Sequence, residues 1–163
     1  MQYKSIYKSS DTVLRTLIGK LRKDKKKIVF TNGVFDLIHR GHVEYLTQAK
    51  RLGDVLIIGL NSDKSVKIIK GDKRPIVAEG DRAFVLQNLK PVDYVVIFNE
   101  DNPYNLINIV LPDVLVKGAD WKENKIIGAD IVKSNGGIVK RIKFAAGKSS
   151  TNIIEGVIRK YRR

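Results

Sequence analysis

The sequence predicts an α/β fold, a Rossmann-like doubly wound parallel sheet of five strands with helices on both faces. Three observations predict it: short runs rich in β-branched residues recur along the chain, amphipathic stretches separate them, and polar segments with glycine follow the ends of several runs. The strands are expected at Lys27–Thr31, Asp54–Leu60, Tyr94–Phe98, Val114–Lys117 and Gly137–Ile142. Helices are expected near Gly41–Leu52, Ser62–Ile69, Gly80–Leu89, Asn105–Val110, Ile127–Ser134 and Thr151–Tyr161. An opening helix near Ser10–Lys23 would start at a cap provided by Ser9, Ser10 or Asp11. The 163 residues suit a single domain, in which a helical segment within residues 1–26 packs on a core of residues 27–158.

Composition narrows the class. With 43% hydrophobic and 29% charged residues the chain has the balance of a water-soluble globular protein, and no apolar run approaches the roughly 18 residues of a membrane span. The first residues lead to no apolar segment of the signal-peptide kind, and the absence of cysteine removes disulfides, thiolate metal sites and cysteine nucleophiles. A cytoplasmic protein without a membrane partner is expected. The net charge of +14 is compatible with nucleic acid, acidic surfaces or small polyanions. Its densest runs, at residues 20–27 and 159–163, lie at the edges of the expected fold and lack the repeated aromatic interleaving of a nucleic-acid platform. Small-molecule polyanions are therefore the expected partners, and an RNA-binding module is the competing class.

The stretch from Phe30 to His42 carries the clearest chemistry. A hydrophobic strand ends in Thr31, Asn32 and Gly33, passes through Val34, Phe35 and Asp36, and reaches His39-Arg40-Gly41-His42 where a helical pattern begins. In such a strand–loop–helix unit the free N–H groups at the helix start can hold an anion, and phosphate is the expected guest. The chain's two histidines both fall here, three residues apart, with Gly41 permitting close approach of a ligand to the backbone. If the first helical turn includes His39, both imidazoles can donate to one phosphate.

Ligands of doubly wound sheets bind beyond the carboxyl ends of the strands, at the point where strand order reverses. Each loop at that end carries suitable polar residues. Asn61, Ser62 and Asp63 follow the second strand and read equally well as a helix cap. Lys117, Gly118, Asp120 and Trp121 follow the fourth, and a lysine ending a buried strand favours a functional reading. Ser149, Ser150 and Thr151 follow the fifth, as a helix cap, a phosphate site or both. Lys70-Gly71-Asp72-Lys73-Arg74-Pro75 is basic and bounded by Gly and Pro, which suits a mobile lid or a solvated turn.

Taken in order, these segments resemble the HxGH nucleotidyltransferases, and within them the sugar adenylyltransferases that make ADP-heptose. The resemblance rests on residues 31–36, 39–42, 59–63, on Lys70-Gly71 with Arg74-Pro75, on 111–121 and on 147–154. Two departures stand out. Ser149-Ser150-Thr151 replaces the commoner Ser-Thr-Thr and keeps all three hydroxyls; Phe144-Ala145-Ala146-Gly147 lacks the arginine of glycerol-phosphate cytidylyltransferases, which disfavours CTP and glycerol 3-phosphate. In the heptose family this domain is often fused behind a sugar kinase, for which 163 residues leave no room, so a stand-alone enzyme is expected.

The resemblance implies an enzyme that moves AMP from ATP to D-glycero-β-D-manno-heptose 1-phosphate, releasing pyrophosphate, on the route to ADP-heptose for lipopolysaccharide; a cytidylyltransferase acting on a polyol phosphate is the alternative. It implies catalytic roles for His39, His42, Lys70, Ser149, Ser150 and Thr151. Nucleotide contacts are implied for Thr31, Asn32, Gly33, Val34, Phe35, Gly41, Asn61, Asp63, Arg74, Lys117, Gly118 and Asp120. Mg²⁺ would bridge phosphate oxygens, with Asp36 as its protein contact or as the residue that orients a histidine. The family also suggests a homodimer.

Overall fold

The computed structural model describes residues 6–143 and 150–162. It opens with β1 (Ile6–Lys8), α1 (Thr12–Lys23), β2 (Ile28–Gly33), α2 (Arg40–Lys50), β3 (Val55–Asn61), α3 (Asp63–Lys70) and α4 (Glu79–Gln87). It continues with β4 (Tyr94–Phe98), α5 (Tyr104–Val110), β5 (Val114–Gly118), α6 (Ala129–Ser134), β6 (Ile138–Ile142) and α7 (Ser150–Tyr161). The expected strands and helices are all present, with ends moved by one or two residues.

Among the described residues the sheet has six strands, one more than expected, in the order β1-β4-β3-β2-β5-β6, and every pair is parallel. The additional edge strand β1 lies beside β4, with Ile6 opposite Val95. Three residues are too few for an alternating pattern to show in sequence, and only the neighbouring strand makes them a strand. Asp11 is the N-cap of α1, but its carboxylate accepts from the Lys8 N–H at 2.7 Å and so closes the β1–α1 turn.

Alternation along each strand divides the core into two layers. Ile28, Phe30, Ile57, Val96, Phe98 and Leu115 face one side with Leu14, Ile18 and Leu21 of α1, Leu106, Ile107 and Val110 of α5, and Val132 of α6. Val29, Leu56, Ile58, Leu60, Val95, Val114 and Val116 face the other with Tyr45, Leu46 and Ala49 of α2 and Ala83 and Leu86 of α4. Full burial of each large aliphatic side chain stabilises by about 1.5–3 kcal/mol. Asp113, ahead of β5, ties α1 to the sheet: it receives both Arg22 Nη1, at 2.8–2.9 Å, and the Ile28 N–H, at 2.6 Å.

Strand order reverses between β2 and β5, since β3 and β4 lie on one side of β2 and β5 and β6 on the other. The chain leaves the carboxyl ends of β2 and β5 in diverging directions, and a crevice opens between their loops.

Gly59 on β3 lets β2 carry bulky residues beside it. A Cβ there would lie 2.7 Å from Phe30 Cζ and 3.0 Å from Asn32 Cβ. Gly59→Ala is expected to cost on the order of 1–3 kcal/mol through overpacking, measurable by urea unfolding.

Candidate active site

β2 delivers Asn32 and Gly33 to the crevice, and the chain turns through Val34 and Phe35, the latter in the left-handed region at φ 47°. Phe35 is buried and its ring lies 5.3 Å from that of His42. His39 is the N-cap of α2, with extended backbone, so the helix begins at Arg40 and not at His39. Its Nδ1 accepts the Gly41 N–H at 3.1 Å, while His42 Nδ1 receives the His39 N–H at 3.4 Å. The two rings stack with centroids 4.0 Å apart.

This arrangement sets the protonation of His42. Burial, and then the neighbouring His39, push its pKa down to about 4, so it is neutral near pH 7. With Nδ1 accepting, the ring proton sits on Nε2, which makes His42 a neutral donor.

Across the crevice, β5 carries Lys117 one residue before its end; its Nζ donates to Asn32 Oδ1 and lies 5.6 Å from the centre of the Trp121 ring. Burial lowers the Lys117 pKa to about 8, and the Asp120 carboxylate opposes part of that shift. The ammonium is still the main form at neutral pH, held in a poorly solvated place where it interacts strongly with an anion.

Between these walls lies a cleft of about 380 Å³, lined by Asn32 to Phe35, His42, Tyr45, Asn61, Ile69, Lys70, Asp101, Lys117, Gly118, Asp120 and Trp121. The volume falls within the range of small-molecule sites. Of the residues expected from sequence, the structure brings Asn32, Gly33, Val34, Phe35, His42, Asn61, Lys70, Lys117, Gly118 and Asp120 together here.

Several expected contacts have other work. Thr31 is fully buried, and its hydroxyl is 2.7 Å from that of Tyr45, so it supports the cleft wall from behind. Gly41 is buried in the first turn of α2. Asp63 pairs with the buried Arg82 at 2.7 Å. Arg74 donates from Nε to Asp36 at 2.7 Å, a pairing that holds the supposed mobile loop to the β2–α2 segment.

Asp36 is engaged by partners within the chain. One carboxylate oxygen receives Arg74 and the other receives the N–H groups of Ile76 and Val77, at 2.8 and 2.9 Å. These hydrogen bonds outweigh burial and hold its pKa below the usual carboxylate value. Among the described residues no group of three or more His, Asp or Glu side chains is placed to hold a metal ion. The donor set therefore does not form a protein cage for Mg²⁺.

At the start of α7, Ser150 Oγ donates to the Leu37 carbonyl at 3.0 Å, which sets this helix end beside the β2–α2 loop, and Thr151 is exposed. Ser149, with Gly147 and Lys148, lies outside the described residues.

Tyr45, Ile69, Asp101 and the supporting Arg82 were not expected. Tyr45 follows His42 by three positions on α2, a spacing that places both on one helix face. Arg82 sits in sequence like any surface arginine, yet shares the buried side of α4 with Ala83 and Leu86. Its Nε donates to Val77 O at 2.9 Å, its Nη1 to Val34 O at 2.6 Å and Asn61 O at 2.9 Å, and its Nη2 to Asp63.

A Rossmann-like sheet with a paired-histidine helix start and a cationic cleft at its switch point describes a nucleotide-handling protein. The chain belongs to the cytidylyltransferase-like family, which it matches over residues 30–156, and it is a nucleotidyltransferase. Among its relatives is the bifunctional protein HldE of a Nitratiruptor species, 59% identical over 140 residues, covering 85% of this chain and 29% of that protein. HldE of Helicobacter pylori (strain J99) is 51% identical over 146 residues, covering 90% and 31%. The chain thus spans about three tenths of the length of these curated relatives. The crystal structure of the lipopolysaccharide core biosynthesis protein from Thermoplasma volcanium GSS1 is 30% identical, with a TM-score of 0.61 over 74% of this chain and 97% of that one.

The two perturbed groups predict a pH profile. His42 stays neutral from near pH 5 upward, whereas Lys117 loses its charge as pH rises through about 8. Catalytic efficiency is expected to fall above that pH, and Lys117→Met is expected to remove this alkaline limb together with most of the activity, as read from initial rates between pH 6 and 9.5.

Proposed function

We propose that this chain is an adenylyltransferase that transfers AMP from ATP to a sugar 1-phosphate, D-glycero-β-D-manno-heptose 1-phosphate, giving ADP-heptose and pyrophosphate. The transfer chemistry is supported above all by the stacked pair His39–His42 at the start of α2, with Lys117 across a cleft of nucleotide size. The sugar nucleotide reading is supported by the 59% identity to an HldE protein and by the likeness to a lipopolysaccharide core biosynthesis protein.

In this reading a phosphate oxygen of the sugar 1-phosphate attacks the α-phosphorus of ATP in line, the bond to the β-phosphate oxygen breaks, and pyrophosphate leaves. The attacking oxygen is already anionic, so positioning and charge stabilisation dominate and a general base contributes little. His42, as a neutral donor, hydrogen-bonds phosphate oxygen without needing to take up a proton. Lys117 supplies fixed charge from one wall and Lys70 supplies it from the end of α3, beside the Gly71 turn. Mg²⁺, when bound, would neutralise charge on the nucleotide and would need few protein ligands to do so. Trp121, half exposed at the cleft, offers an apolar face to the base or the sugar.

Pyrophosphate release measured for ATP and CTP, each with heptose 1-phosphate and with glycerol 3-phosphate, tests the assignment. Activity is expected for ATP with heptose 1-phosphate, and preference for CTP with glycerol 3-phosphate would overturn it. His42→Ala should lose on the order of 10²–10³ in turnover while keeping its circular dichroism spectrum; a folded variant with wild-type turnover is incompatible with the role given to His42. Because Trp121 is the single tryptophan, ATP should change the protein's intrinsic fluorescence, and Trp121→Phe should abolish that signal.

A further inference from the structure

The guanidinium of Arg82 meets four separate parts of the chain. Val34 belongs to the loop after β2, Asn61 to the end of β3, Asp63 to the start of α3, and Val77 to the segment that returns from the basic loop. Val34 and Asn61 line the cleft; Arg82 does not, being 1% exposed behind it. Val77 is held from both sides, since its carbonyl accepts from Arg82 while its N–H donates to Asp36. Glu79 adds a further tie by accepting the Asp63 N–H at 2.7 Å.

We infer that Arg82 is a positioning residue for nucleotidyl transfer, fixing the spacing between the β2 loop, the end of β3 and the return of the basic loop. Desolvating a charge offsets much of what its pairing returns, so net stability alone is a weak reason for a cation buried to this degree. The guanidinium has a property no apolar residue or lysine has: planar N–H groups that hold several acceptors at fixed angles. Three of its four partners are backbone carbonyls on different elements, so it determines where those backbones sit relative to one another. Asn32 to Phe35 and His42 ride on the first, Asn61 on the second, and the loop between Lys70 and Val77 on the third. In-line displacement is steep in geometry, and a misplacement of about 1 Å can cost on the order of 10²-fold in rate.

The inference rests on the nucleotidyl-transfer reading of the cleft. Its test is Arg82→Lys, which keeps the charge and loses the fork. This variant is expected to retain its fold by circular dichroism and to lose on the order of 10²-fold in kcat, with a smaller rise in the Kd for ATP read from Trp121 fluorescence. Ile107→Val, a core change on the opposite face of the sheet, provides a control that loses thermal stability while keeping wild-type kcat. A folded Arg82→Lys protein whose kcat matches that control overturns the inference. Should Arg82→Lys not fold, Arg82→Gln decides: it keeps one N–H donor group and loses the fork that holds three carbonyls at once, and a folded Arg82→Gln protein with the kcat of the control overturns the inference as well. A wild type that releases pyrophosphate from neither ATP nor CTP overturns both readings, whereas an active wild type with an equally active Arg82→Lys overturns only this one.

Discussion

A single buried cation holds the working end of this molecule together. Arg82 is enclosed by carbonyls of Val34, Asn61 and Val77 and by the Asp63 carboxylate, and among the described residues no buried side-chain polar atom is left without a partner. Remove the guanidinium and three carbonyls and a carboxylate lose their donor in a place where water cannot readily take over. The β2 loop can hold Phe35 in its left-handed conformation because its flanks are secured, Val34 by Arg82 and Asp36 by the N–H groups of Ile76 and Val77. Phe35 in turn packs beside His42. The donor on α2 is thus placed by a chain of contacts whose far end is an arginine on α4.

The electrostatics of the cleft differ from those of the whole chain. A protein of net charge +14 could bind polyanions with surface lysines alone, at the expense of selectivity. Here the wall facing the substrate combines a neutral imidazole, one buried lysine partly balanced by Asp120, and the exposed Lys70. Arg74, which charge alone would assign to phosphate, is paired with Asp36. Specific geometry and not total charge therefore defines the site.

The fold was readable because burial leaves a periodic trace. The runs at 28–30, 55–60 and 94–98 are largely buried within a parallel sheet and are continuously apolar. The strand β1 left no such trace, since it is three residues at an edge, two half-buried and Lys8 exposed. The lining of the cleft is legible in the sequence where a residue's chemistry has few structural uses, as with His42 and Lys117. Polar residues at strand ends serve one another in ways a sequence does not show: Thr31, Asp36, Asp63 and Arg74 are all of a type that could hold a nucleotide, and the structure adds the partners by which they also brace the loops. Arg82 was missed for the opposite reason, because a sequence does not mark which arginine of an amphipathic helix has turned inward.

The edge strand β1 has a consequence for how the chain acquires its fold. Its partner β4 lies more than half the chain away, with Ile6 opposite Val95, while the central strand β2 waits for β5, Val29 opposite Val114. Closing such separations costs entropy before the contacts repay it, which slows folding relative to a fold built from local pairs. During synthesis β2 can pair with β3 early, whereas β1 has no neighbouring strand to join until β4 is out. The strand that precedes all the others of the sheet is thus among the last to be ordered, and the docking of β1 marks a nearly complete sheet.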